Sequence, residues 1–144
     1  MWTVENALSP ERCAAYVARF HAATPERAPV VMANGTEIDT AVRNNTRVMW
    51  DDQAEANELV ATVRARVPAT WNAEPLVGGN PRLRVYRYEP GEHHSAHWDT
   101  VVELPPARGT ALLFQHRVLH AALGVTSGVK YALRTDVLYR ARPR

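Results

Sequence analysis

Cysteine is almost missing from this chain. Cys13 stands alone among 144 residues, so no internal disulfide can form and no cysteine cluster supports a structural zinc site. A reducing compartment is the simple expectation. Long apolar runs are missing as well: no stretch approaches the roughly 20 residues that span a bilayer. The opening Met1-Trp2-Thr3-Val4-Glu5-Asn6 has neither a basic start nor an apolar run. The chain is therefore expected to be cytoplasmic, with no membrane partner. Charge of one sign is not concentrated either. The net charge is +2 and the arginines are scattered from Arg12 to Arg144, which argues against a nucleic-acid partner, and Arg140, Arg142 and Arg144 read as a solvated tail. The scarcest charged type is lysine, with Lys130 alone against sixteen arginines.

The length suits one domain, 1–144, with a real core. Ser9-Pro10-Glu11 reads as an N-cap followed by proline at the first helical position. Cys13, Tyr16, Val17 and Phe20 then form an apolar stripe, which predicts a helix from about Pro10 to Ala22. From Thr24 to Asn45 prolines, Asn34-Gly35 and Asn44-Asn45 interrupt any long element, leaving Val30-Val31-Met32 as a short strand. Asp52-x-x-Glu55 resembles a capping box, and Leu59, Val60, Val63 and Val67 continue a second helix that stops before Pro68.

Beyond Gly78-Gly79-Asn80-Pro81, Leu83 to Tyr88 alternates and is rich in β-formers. Strands are also expected at Thr110 to Phe114 and along Val129 to Tyr139, and His94 to Val102 is compatible with extended chain. Helices first and strands afterwards imply an α+β domain, with helical support in 1–80 and a β core in 81–140.

His97 and Asp99 are two apart, so on a strand both side chains reach one side while Trp98 points away. Together with His120 they offer two imidazoles and a carboxylate, the set that suits non-haem iron(II) with open positions. The pair alone is weak: with six histidines and five aspartates, a chance His-x-Asp arises about one time in five. Its bland reading is a surface histidine beside a loop aspartate. Lys130 adds weight, because a lysine among arginines suits a site wanting a compact point charge, the alternative being one chance codon. On a strand Lys130 and Arg134 share a face, and so do Arg84, Tyr86 and Tyr88. Two cations on one face need an anion or solvent, and the Tyr88 hydroxyl could donate to the same anion.

The other histidines carry less. His93 and His94 sit in a turn, where solvent-facing histidines are ordinary and a place at a substrate's edge is the alternative. His116-x-x-x-His120 would suit zinc on a helix, but no Glu follows His116 and the flanks read as strand and loop. His21 ends the first helix, where a cationic imidazole suits the dipole.

Taken in order, Tyr88-x-x-Gly91, His97-x-Asp99, Pro106-x-x-Gly109-x-Ala111-Leu112-Leu113-Phe114, His120 and the run Gly128 to Tyr139 resemble the prolyl 4-hydroxylase-like branch of the iron(II)/2-oxoglutarate-dependent dioxygenases. The resemblance covers about Leu83 to Tyr139. It implies a jelly-roll-like double-stranded β-helix with N-terminal supporting helices, and iron(II) held by His97, Asp99 and His120. Lys130 would hold the distal carboxylate of 2-oxoglutarate, with Tyr88 beside it and Tyr86 as the second tyrosine. Arg134 is the second choice of anion partner, its alternative being a salt bridge to Asp136 or Glu103. The implied reaction consumes 2-oxoglutarate and dioxygen, releases succinate and CO2, and hydroxylates a peptidyl proline, another side chain or a small metabolite. The resemblance also admits ascorbate as an accessory reductant.

Only twenty residues, Thr100 to Leu119, separate Asp99 from His120, where the family usually carries two or three more strands. An extended chain covers about 3.3 Å per residue, so the ligands can still converge on a shortened or incomplete barrel. The exposed sheet would then need cover from a rearrangement, another segment or a second copy in a homodimer. Two other readings stand beside the enzyme: a non-catalytic metal-binding or interaction domain of the same fold, and a basic module contacting phosphate.

Overall fold

The computed structural model of the chain describes residues 2–32, 35–95, 107–115 and 121–140. Over these residues the fold is α+β, with two α-helices and mostly antiparallel strands. In chain order the elements are β1 (Trp2–Val4), α1 (Pro10–Ala22), β2 (Glu26–Arg27), β3 (Val30–Met32), β4 (Gly35–Glu37), β5 (Thr46–Asp51), α2 (Gln53–Thr62), a 3-10 turn (Arg64–Arg66), β6 (Thr70–Trp71), β7 (Glu74–Gly79), β8 (Arg82–Tyr88), β9 (Ala111–Leu113), β10 (Lys130–Arg134) and β11 (Val137–Tyr139).

Helix α1 starts where its sequence dictates. The Ser9 side chain accepts a hydrogen bond from the Arg12 amide and Pro10 occupies the first turn, satisfying one orphan donor and presetting φ. Tyr16 and Phe20, four residues apart, are its buried positions. Helix α2 is capped by Asp52, whose Oδ1 accepts from the Glu55 amide at 2.9 Å. The Glu55 carboxylate takes the Trp50 indole N–H at 2.8 Å and Arg19 at 3.0 Å, tying both helices to β5. The α-helix ends at Thr62, earlier than the apolar spacing predicts, and the 3-10 turn then carries the buried Val63 and Val67 onward.

The largest sheet has the order β10-β8-β5-β2, all neighbours antiparallel. One face packs on the helices: Val48, Leu83 and Val85 meet Tyr16, Phe20, Ala56 and Leu59, with Trp50, Tyr131 and Leu133 at the margin. Alternation along β8 produces this directly, since Leu83 and Val85 point one way and Tyr86 and Tyr88 do not pack in that cluster. Strand β5, which the sequence reading does not assign, lies inside the sheet between β2 and β8. Residues 1–80 thus supply strands as well as helices, which corrects the expectation of helices first and strands afterwards. The reason is that Val48 and Trp50 alternate with Arg47 and Met49, a half-buried strand pattern only six residues long and directly beside the α2 cap.

The β-rich run from Val129 to Tyr139 is two strands in different sheets, because β11 joins β7 and β6. Asn80 forces the change: its amide donates to Asp136 O at 2.8 Å, its carbonyl accepts from the Thr135 hydroxyl at 2.8 Å, and its side chain reaches Asp136 Oδ2 at 3.2 Å. Strand β9 pairs with β1 from the opposite end of the chain. Among the described residues the sheets do not close into a barrel.

Candidate functional site

Strands β8 and β10 are registered so that Lys130 opposes Tyr88, Ala132 opposes Tyr86 and Arg134 opposes Arg84. Directly opposed residues of an antiparallel pair point to the same side, so these six share the face turned away from the helices. There Tyr86 and Tyr88 are buried with Ala28, and Ala122, Val125 and Ala132 pack against them.

Lys130 Nζ lies 5.5 Å from the centroid of the Tyr88 ring, within cation–π range. Burial holds the Lys130 ammonium below the ordinary lysine range. Burial also pushes the Tyr88 phenol up, against the opposing pull of Arg43, so Tyr88 keeps its proton and can donate a hydrogen bond. Among the described residues Lys130 has no carboxylate partner. Arg134 does: its guanidinium is 3.5 Å from Asp136 Oδ1 and the side chain is exposed.

Arg43 belongs to this cluster and sequence reasoning misses it. It is 8% exposed, and its guanidinium carbon lies 4.5 Å over the Tyr86 ring. Its Nε donates to Asn45 Oδ1 at 2.8 Å, while Nη1 makes a long 3.5 Å contact to Pro29 O. Asn45 is fully buried. In the sequence this arginine stands in Val42-Arg43-Asn44-Asn45, a stretch with loop character where arginine is ordinarily solvated. No local pattern marks it.

The three expected metal ligands, His97, Asp99 and His120, lie outside the described residues, as do His116 and Glu103. Their chain flanks are described. The His94 amide donates to Ala122 O at 3.0 Å and the Ala122 amide to His94 O at 3.1 Å, so the segments three residues before His97 and two after His120 are joined in one antiparallel bridge. A loop from Asp39 to Asn45 steadies the first flank: the Ser95 amide donates to Val42 O at 2.9 Å and the His93 amide to Asn44 Oδ1 at 2.7 Å. The His93 ring is engaged with Ala41 O at 3.2 Å. His21 meets the Tyr131 hydroxyl at 2.8 Å. Among the described residues no group of three His, Cys, Asp or Glu side chains is placed to hold a metal, and no helix is long and apolar enough to cross a membrane.

Two open depressions lie elsewhere. One of about 520 Å³ is lined by Trp71, Asn72, Glu74, Tyr139 and Arg140. The other, about 430 Å³ between α1 and α2, is flanked by the ion pairs Arg12–Glu58 and Arg19–Glu55. Neither contains Lys130 or Tyr88. Compared with known proteins, the chain matches no family model, and no curated protein is significantly similar to it.

Proposed function

We propose that the chain is an iron(II)- and 2-oxoglutarate-dependent dioxygenase on a shortened double-stranded β-helix, with His97, Asp99 and His120 as metal ligands and Lys130 as the anchor for the co-substrate's distal carboxylate. The observation that carries the proposal is the Lys130–Tyr88 pair. A half-buried ammonium without a described carboxylate sits against a protonated, buried phenol on one sheet face. Such a cation is stabilised when an anionic ligand comes to it.

The His94–Ala122 bridge supports the same reading, since it draws together the chain on either side of the expected ligands. The donor set, two imidazoles and a carboxylate, fits iron(II) with open positions. When bound, iron(II) supplies the redox chemistry by which 2-oxoglutarate and dioxygen become succinate, CO2 and a hydroxylated substrate. This chain's own part is to bind and orient. Lys130 offsets the carboxylate's charge, Tyr88 donates a hydrogen bond to it, and the apolar wall of Ala28, Val125 and Ala132 keeps water from competing.

Anaerobic addition of Fe(II) and 2-oxoglutarate should produce the visible absorption band of an iron-chelated keto acid, and His120→Ala should abolish it. No band, or a band indifferent to that substitution, overturns the iron site. A band without succinate formation above a buffer control on admitting oxygen favours the non-catalytic member of the same fold.

A further inference from the structure

Most arginines that this chain draws into contacts face an acid. Arg12, Arg19, Arg27, Arg47, Arg82 and Arg134 each lie within 3.5 Å of a carboxylate oxygen. Arg43, the buried arginine among the described residues, meets no carboxylate among them. Among the described residues the groups that its side chain touches are neutral: the Asn45 amide oxygen, the Pro29 carbonyl, the Tyr86 ring and the Tyr88 phenol. Glu92, whose charge also bears on Tyr88, is committed to Arg27 at 3.5 Å and to the Glu89 amide at 2.9 Å. A guanidinium cannot shed its proton to escape burial, and a buried charge without a counter-ion is costly to the fold.

The geometry around Arg43 is that of an aimed fork. Asn45 takes Nε, and the Tyr86 ring backs the guanidinium plane. Among the described residues its other donors meet the long contact to Pro29 O and the Tyr88 phenol, so of the five donors some remain for a planar, two-oxygen acceptor. Tyr88 meets both cations, with Lys130 over its ring and Arg43 hydrogen-bonded to its hydroxyl.

We infer that Arg43 is a second cationic anchor, closing with Lys130 and the Tyr88 hydroxyl on one carboxylate of a small dicarboxylic acid. The identity of that acid as 2-oxoglutarate rests on the reading proposed above, whereas the two-cation clamp does not. Arg43 thereby becomes a specificity-determining residue: it favours keto acids with a distal carboxylate over those ending in a methyl group.

The test compares 2-oxoglutarate with 2-oxopentanoate, which has the same chain length and no distal carboxylate, by calorimetry on the full chain with and without Mn(II). Arg43→Gln keeps a donor for Asn45 and removes the charge. It should weaken 2-oxoglutarate by roughly 10- to 100-fold, change 2-oxopentanoate by less than about twofold, and leave Mn(II) affinity alone. Arg43→Lys restores the charge without the fork and should recover part of the loss; it also serves if Arg43→Gln does not fold. Equal 2-oxoglutarate affinity in wild type and variant, equal losses for both acids, or no saturable binding by the wild type in either form overturns the inference. Dicarboxylate binding that depends on Arg43 but never yields a metal-dependent absorption band overturns the dioxygenase reading and leaves the clamp standing. A band with an affinity indifferent to Arg43 does the reverse.

Discussion

Lys130 and Tyr88 are register partners across β8 and β10, and the ammonium nitrogen stands 5.5 Å from the phenol ring's centroid. The contact uses the ring and leaves the hydroxyl for another partner. It gives the solitary lysine a neutral neighbour where the arginine four residues on, Arg134, has a carboxylate.

Lys130→Met should raise the dissociation constant for 2-oxoglutarate about 10- to 100-fold, the loss of one charge-assisted contact, without moving Fe(II) affinity. Burial has already lowered the lysine's pKa. The folded state therefore holds this proton less tightly than the unfolded state, and the lysine's charge is a burden that is fully present below the depressed folded value and relieved as pH rises through it toward 10.5. Ligand-free Lys130→Met should accordingly melt at or above the wild type near pH 7. A fall of more than about 3 °C, corresponding to ~1 kcal/mol in a chain of this length, contradicts that account. Binding of 2-oxoglutarate should weaken on the alkaline side before pH 10.5 is reached, which a titration series checks.

Arg134→Gln should alter 2-oxoglutarate affinity by less than about twofold, because an exposed pair such as Arg134–Asp136 contributes ~1 kcal/mol or less and to the fold alone. A tenfold loss would transfer the anchor's role from Lys130 to Arg134.

Tyr16 should report alkaline unfolding. Burial first, and then its hydrogen bond and proximity to Glu55, push its phenol from the ordinary tyrosine value of 10.0 up to about 12. Its folded pKa is raised, so the stability it contributes is fully present below pH 10 and disappears as pH climbs through about 12. Chemical denaturation at a series of pH values should show the decline across that window, and Tyr16→Phe should flatten it. Glu55→Gln should bring the Tyr16 titration, followed by phenolate absorbance, down without returning it to the value of a free tyrosine, since burial remains.

Gly79→Ala should destabilise the protein by about 1–3 kcal/mol, the usual range for forced overpacking. A Cβ there would stand 2.5 Å from Ala56 O and 2.7 Å from Ala56 C, backbone atoms of α2 that cannot swing aside. The denaturation midpoint measures it, and an unchanged midpoint would show that α2 and β7 can separate freely.

Much of the local structure is legible in the residues themselves. Ser9-Pro10 sets the start of α1, Asp52 that of α2, and alternation through Leu83 to Tyr88 sets which residues of β8 face the helices. Each depends on groups within a few residues, so dihedral preference and side-chain reach suffice. The same logic puts Lys130 and Arg134 on one face. Of the candidate site, alternation puts Tyr86 and Tyr88 on one face and the strand pairing adds Lys130 to it, while His97, Asp99 and His120 lie outside the described residues.

Other features required the folded chain. Strand register has no local signature, so only pairing of β8 with β10 could bring Lys130 opposite Tyr88. Asn80, more than fifty residues away, decides that the run to Tyr139 breaks at Thr135 and Asp136. Arg43 is the clearest case. Its loop context predicts solvation, yet the Tyr86 ring, Asn45 and the bridge to His94 bury it. Sequence alone determined the local elements and the residue types near the site. The tertiary structure decided which cation lost its solvent, because burial is set by residues distant along the chain.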